Sequence, residues 1–252
     1  MGRKPGEEAP VKLGIVIPLW QREELTRLTL QRISREVEGD EDCVLVAITN
    51  EFENGVLALR HGFELVRAPN QPLSDKKNSG IQHLRGRVEG VVLLGSDDWA
   101  TGMGGVSLLD RYREALSTFP FIGPLDMWYV DLGSSRGGHC EGYGEEDSRH
   151  GEPSGVGRAM RTDLLDAIDW RPRPPGLPRS HDGAMRKVIE AVGFACTGRT
   201  QEELGVRIVD IKSDTSVTEF SSLRLRPHFL GEILAPFPDE EVNELMALTR
   251  IV

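Results

Sequence analysis

Long apolar runs are missing from this 252-residue sequence. The longest, such as Gly90 to Leu94, fall far short of the roughly 20 residues that cross a bilayer, so no transmembrane helix is expected. The opening residues, Met1-Gly2-Arg3-Lys4-Pro5-Gly6-Glu7-Glu8, lack the apolar core of a signal peptide and read as a flexible tail over 1–10. Cysteine is scarce: Cys43, Cys140 and Cys196 are odd in number and show no C-x-x-C spacing. That excludes a disulfide framework and makes a reducing cytoplasm the expected compartment. Basic excess is also missing, since 30 Lys and Arg stand against 40 Asp and Glu, a formal charge of −10. Tight, sequence-independent nucleic-acid binding needs the opposite balance. A local groove lined by Arg158, Arg161, Arg171 and Arg173 stays open.

No internal repeat or heptad array is present, and the composition, 38% hydrophobic and 28% charged, is that of an ordinary globular chain. Residues 11–252 are expected to form a single domain, with a ligand-binding half at 11–100 and a second half at 101–252. In the first half, Leu13 to Ile17, Val44 to Ile48, Phe63 to Val66 and Val91 to Leu94 read as buried strands. Between them lie stretches with helical spacing, including Leu30, Ile33 and Val37, and a polar helix candidate from about Asp75 to Arg87. Unbroken apolar strands alternating with amphipathic helices predict an α/β fold with a mainly parallel sheet. Ligands of such sheets collect beyond the carboxyl ends of the strands. The residues there are Gln21-Arg22-Glu23, Thr49-Asn50-Glu51, Ala68-Pro69-Asn70 and Ser96-Asp97-Asp98.

The second half carries a helix with Leu108, Leu109, Tyr112 and Leu116 on one stripe. Residues 133–157 follow, rich in glycine, acids and histidines, and read as a flexible loop able to act as a lid. A helix with Met185, Val188, Ile189 and Val192 at i, i+3, i+4, i+7 comes next. Val206 to Ile211 reads as a strand, and Asp239 as the cap of a terminal helix.

Leu94-Gly95-Ser96-Asp97-Asp98-Trp99 places two adjacent carboxylates at a strand end, which suits a hard divalent cation with positions left for phosphate oxygens. The competing reading has one Asp capping a helix and the other solvated. Lys76, Lys77 and Asn78, near the start of a helix, could face a pyrophosphate, or could be a capped helix start with a solvated lysine pair. His139-Cys140 and His150 do not have the spacing of a four-ligand zinc site. Gly155-x-Gly157 and Gly102-x-Gly104 lack the features of phosphate or dinucleotide loops. His228 could be a late metal ligand, or an ordinary packing residue.

Together, Val11 to Glu23, Lys77-Asn78-Ser79-Gly80-Ile81 and Leu94 to Trp99 resemble, in order and spacing, the opening strand, the Arg-Asn-x-Gly helix start and the Leu-Asp-x-Asp-Asp stretch of the GT-A fold, family-2-like glycosyltransferases. The resemblance implies a Rossmann-like sheet flanked by helices, with a smaller acceptor-side region. It also implies a hexosyltransferase-type enzyme that takes a nucleotide-sugar donor and Mn²⁺ or Mg²⁺. Pro18, Trp20, Arg22, Glu23, Asn50, Glu51, Lys76, Lys77, Asn78, Ser96 and Asp97 would then face the donor, with Asp97, Asp98 and His228 at the metal. Ser154 to Arg161 resembles the glycine-rich turn and basic pair on the acceptor side, which gives Gly155, Gly157, Arg158 and Arg161 to the acceptor. Ser180-His181-Asp182 resembles the family's Glu-Asp turn, whose Asp is the base of inverting members. His181 could ligate the metal, or orient Asp182 on the acceptor side, or be an ordinary surface or packing residue. Asp182 could equally cap the following helix. The sequence departs from the pattern at Gly95, where the family's first Asp usually meets the ribose, and at Asn50-Glu51, where an Asp commonly meets the nucleotide. The resemblance implies a hydroxyl-bearing acceptor and leaves a glycan, a lipid-linked sugar, a protein and a hydroxylated nucleobase all open. Two rival readings are a sugar nucleotidylyltransferase, disfavoured by the absence of a Gly-rich signature after the first strand, and a non-catalytic nucleotide-sugar-binding module of the same fold.

Overall fold

The computed structural model describes residues 11–178, 181–213 and 220–250, with only the backbone described at His181 and Arg250. The expected tail at 1–10 lies outside the described residues. The front half alternates as its pattern predicts: β1 (Leu13–Pro18), α1 (Glu23–Glu36), β2 (Cys43–Ile48), α2 (Phe52–Arg60), β3 (Glu64–Val66), α3 (Leu73–His83) and β4 (Gly90–Leu93). After it come β5 (Asp98–Gly102), α4 (Leu108–Thr118), β6 (Phe121–Pro124), β7 (Met127–Asp131), β8 (Arg136–Cys140), β9 (Arg158–Arg161), α5 (Thr162–Ala167) and α6 (His181–Ala191). The chain closes with β10 (Thr197–Arg199), α7 (Gln201–Leu204), β11 (Val206–Lys212), β12 (Arg226–His228), α8 (Leu230–Leu234) and α9 (Asp239–Ala247).

Seven strands form the first sheet in the order β10-β6-β9-β4-β1-β2-β3. β1 runs parallel to both β2 and β4, and β2 parallel to β3. β1 is apolar throughout because it is covered twice. Ile15 and Ile17 pack with Leu30 and Ile33 of α1 on one face, while Val16 packs with Ile81 and Leu84 near α3 on the other. α3 can lie this close because residue 80 is glycine: a Cβ there would strike Ile48 and Val16.

The second sheet has the order β12-β8-β7-β11-β5. Its outer face buries Trp99, Val130, Val209 and Ile211 against Leu25 and Leu28 of α1 and against Phe237 and Leu245. α1 is thus packed between the two sheets, and Arg32 ties it to α9 through Glu241 at 2.9 Å. The chain leaves the first sheet at Leu93 and enters the second at Asp98, so residues 94–97 bridge the two sheets where they diverge.

Three expectations change. The stretch 133–157 is no continuous loop, since residues 136–140 form β8, whose bare Gly137 and Gly138 admit the side chains of Ile233 and Leu225. Asp239 is the first residue inside α9, and the cap position is Pro238. Asp182 likewise lies within α6, not before it.

Candidate active site

The bridge between the sheets fixes the acidic pair. Asp97 ends the bridge, and its carbonyl accepts from the Ile211 amide at 2.8 Å. Asp98 opens β5 and stands opposite Asp210 of β11 in antiparallel register. Directly opposed residues of an antiparallel pair carry their side chains on the same face. Oxygen atoms of Asp97, Asp98 and Asp210 therefore lie within 4.8 Å of one another. Sequence reading missed Asp210, because an acid inside an apolar strand gives no local sign of which residue it will face.

Three carboxylates this close repel one another, and two of them are buried. Burial first, and then Asp97 and Asp210, hold the Asp98 carboxyl well above the usual carboxylate range. Burial, and then Asp97, push Asp210 up to about 6, although Lys212 donates to it at 2.8 Å. One oxygen of each, Asp98 Oδ1 and Asp210 Oδ1, is buried with no hydrogen-bond donor. Leaving such groups unpaired costs about 1–3 kcal/mol each or more. A hard divalent cation, which takes oxygen ligands and cancels like charge, is the species that fits this donor set.

Gly95 now has a local reason. The other Asp98 oxygen accepts from the Gly95 amide and occupies the space a side chain at 95 would fill. Trp99, fully buried edge-on against Phe237 at 5.5 Å, fixes the next residue of β5 on the opposite face.

Arg22 reaches the trio through an unusual turn. Gln21 and Arg22 both adopt left-handed backbone, at φ 53° and 50°, a conformation that costs non-glycine residues about 1–2 kcal/mol. Glu51 offsets that by accepting the Gln21 amide at 2.9 Å, while the Gln21 carbonyl accepts from Asn54 and from Thr26. The turn aims the Arg22 guanidinium at Asp97 (2.6 Å) and Ser96 Oγ (3.0 Å).

A cavity of about 140 Å³ opens beside the trio, lined among others by Pro18, Lys77, Gly95 and Gly155. Burial first lowers Lys77 to about 8, against the attraction of Asp182. The Asp182 carboxylate lies over the bare Cα of Gly155, where a Cβ would collide with it, and Arg173 approaches it at 3.5 Å. The cavity is thus lined by Lys77, Asp97, Asp98, Gly155 and Asp210, with Arg22 and Ser96 linked to Asp97 and Asp182 lying against Gly155.

Other expected site residues are placed elsewhere. Lys76 is buried and donates to Asn70 at 2.6 Å and to the Leu19 carbonyl, away from the cavity. Asn78 clamps the Arg173 backbone, donating to its carbonyl at 2.8 Å. Arg158 is fully buried and holds the carbonyls of Pro153, Ser154 and Asp182 together. Arg161 pairs with Gly90, at the amino end of β4, and binds Asp163, so the strand puts it at the opposite end from Asp97. Gly157 takes a left-handed φ of 69°, and its carbonyl accepts from Tyr112. Trp20, Glu23 and Asn50 lie exposed around the outer rim of the strand ends, and Glu51 braces the turn described above. His228 does not join the trio: β12 is at the far edge of the second sheet, where the ring stands edge-on to Trp128. The His181 side chain lies outside the described residues.

No protein-family model matches the chain, and comparison with curated proteins finds no match. Solved structures do match. A mannosyltransferase from Pyrobaculum calidifontis, in complex with GDP-Man and Mn²⁺, shares 13% identity over 85% of this chain, with a TM-score of 0.53. GalNAc-T7 with UDP, GalNAc and Mn²⁺ shares 12% identity over 82% of this chain, with a TM-score of 0.57. The chain spans 62% and 45% of the lengths of those two chains. Despite the low identity, the course of the backbone is similar enough to define the architecture: this chain has the GT-A-like α/β fold seen in glycosyltransferases of solved structure.

Proposed function

We propose that the protein is a metal-dependent glycosyltransferase that moves a sugar from a nucleoside-diphosphate sugar to an acceptor hydroxyl with inversion. The observation that carries this reading is the pair of buried, donorless oxygens on Asp98 and Asp210 beside Asp97, at the mouth of a cleft beyond the strand ends. Two proteins of the same fold hold Mn²⁺ together with GDP-Man or with UDP and GalNAc. Asp97, Asp98 and Asp210 would hold Mn²⁺ or Mg²⁺, which supplies charge to stabilise the leaving diphosphate.

The chain's own residues do the rest. Arg22 and Lys77 neutralise the diphosphate, Arg22 by turning from Asp97 to the phosphate oxygens, a bidentate pairing that suits a guanidinium. A cavity of about 140 Å³ admits the diphosphate and its neighbours rather than a whole donor, so the nucleoside extends along the rim formed by Trp20 and Asn50. Asp182, across the cavity near Gly155, takes the proton from the acceptor hydroxyl as its oxygen attacks the anomeric carbon and the sugar–phosphate bond breaks. Attack from the side opposite the leaving group inverts the centre. Gly155 and the Gly157 turn shape the acceptor side, with Arg158 positioning Asp182 through its carbonyl.

The test starts with thermal shift against UDP, GDP and TDP with and without Mn²⁺, since a ligand that binds only the folded state raises its melting point. Donor turnover follows. A nucleotide that stabilises only when Mn²⁺ is present, and whose sugar is transferred by the wild type but not by Asp97→Ala, supports the reading. Undiminished transfer by Asp97→Ala overturns it, and pyrophosphate release from a nucleoside triphosphate would favour nucleotidyl transfer instead.

A further inference from the structure

A cavity of about 620 Å³, larger than the one beside the aspartates, lies elsewhere in the molecule. Successive residues of a strand point to opposite faces. Val209 pairs with Trp128 and Asp210 with Asp98, so Trp128 and Arg207 share the face opposite the carboxylate trio. The cavity is lined there by Arg207, Trp128, His139, Asp126, Glu141 and Glu202, among others.

Its centre is an arginine in no direct ion pair, which burial destabilises and Asp126 attracts only from a distance. The Arg207 guanidinium lies 4.4 Å above the Trp128 ring, and Nη1 is buried with no acceptor. Three other arginines among the described residues also bury an unpaired nitrogen, but each has a partner elsewhere: Arg32 in Glu241, Arg111 in the Met103 carbonyl, Arg173 in Asp182. Arg207 makes no hydrogen bond or ion pair with any described residue, and the nearby carboxylate, Asp126, is already taken by His139 at 2.7 Å and by the Gln201 amide at 2.7 Å. His139 stacks on Trp128 at 4.2 Å, so the aromatic floor is held rigid. A guanidinium stacked on an aromatic face keeps its in-plane donors oriented for two-point pairing with the oxygens of a carboxylate or phosphate.

We infer that this cavity is a second ligand site, in which Arg207, held on Trp128, receives the carboxylate or phosphate of a small anion. Its volume falls in the usual range for small-molecule sites. Glu202 at the exposed rim, and Glu141 beside Arg226 at 3.9 Å, set acids around the opening, which favours a singly charged ligand over a polyanion. The site is separate from the transfer chemistry and does not depend on it.

The probes are inorganic phosphate, glucose 6-phosphate and glucuronate, added to the full chain without nucleotide or divalent metal. Saturable binding is followed by thermal shift and tryptophan fluorescence in the wild type, Arg207→Gln, Arg207→Lys and Asp98→Asn. At least one probe should bind the wild type and Asp98→Asn alike, bind Arg207→Gln about tenfold or more weakly, and bind Arg207→Lys at an intermediate level. Preference for glucose 6-phosphate assigns a phosphate, and preference for glucuronate a carboxylate; either supports the site. Because Arg207 makes no hydrogen bond or ion pair and only the Trp128 contact is lost, Arg207→Gln should melt at most slightly below the wild type. The inference is overturned if no probe saturates, if Arg207→Gln binds as the wild type does, or if Arg207→Gln melts well below the wild type, which would make the guanidinium structural.

Discussion

The two sheets bury different chemistry. β1, β2 and β4 carry no charged side chain, and their residues are spent on a doubly covered apolar core. β5 and β11 carry Asp98, Arg207, Asp210 and Lys212 within strands that are just as enclosed. Hydrophobic burial is what holds a fold together, whereas a like-charged buried cluster works against it. β1, β2 and β4 thus act as scaffold, whereas β5 and β11 hold carboxylate charge that Lys212 and Arg22 offset only in part. Stability set aside at a functional site in this way is a common trade in proteins.

The sharpest way to break this contrast is to remove a carboxylate from the second sheet. Asp97→Ala and Asp210→Ala are each expected to lower metal-dependent sugar transfer by about 10³-fold, read by donor-turnover kinetics, because several kcal/mol of charge stabilisation go with the cation. Next in size, Asp182→Asn should slow turnover about 10²-fold while nucleotide and Mn²⁺ still raise the melting point, separating proton transfer from donor binding.

The scaffold side gives the converse. Gly80→Leu would push α3 off Ile48 and Val16 and should cost about 1–3 kcal/mol in denaturant unfolding. Asp98→Asn, in contrast, should leave the metal-free protein as stable as the wild type or more so, since it relieves repulsion among three acids. A large loss of stability in Asp98→Asn would erase the distinction between the sheets.

The smallest effect is chemical. Burial first pushes the Cys43 thiol up to about 12 and the Cys196 thiol up to about 11. Raised thiol values mean little thiolate at pH 8, so iodoacetamide should modify both slowly in the native protein. The rate should rise about tenfold per pH unit from 8 toward 10 without levelling. A plateau near pH 8 would show that the two side chains are not enclosed as described.

What was legible in the sequence follows the same division. β1 to β4 could be read because an apolar run between amphipathic helices has a local cause, and the strand ends pointed to Asp97 and Asp98 for the same reason. Asp210 could not be read: its role exists only through the register that sets it opposite Asp98, a contact distant in sequence and without a local pattern. Arg22 was legible as a strand-end residue, but not the left-handed turn that aims it. Lys76 and Lys77 are adjacent in sequence yet diverge, because neighbouring residues of a helix do not share a face. Residues 133–157 misled by composition, since the glycines of β8 serve close packing under Leu225 and Ile233.

Manganese binding measured directly, by the loss of the free-ion paramagnetic resonance signal on titration into the metal-free protein with a nucleoside diphosphate present, goes straight to the central claim. The account predicts one Mn²⁺ per chain in the wild type and affinity weakened by at least about tenfold in Asp210→Asn. Equal binding by the two proteins, or none by either, would contradict it.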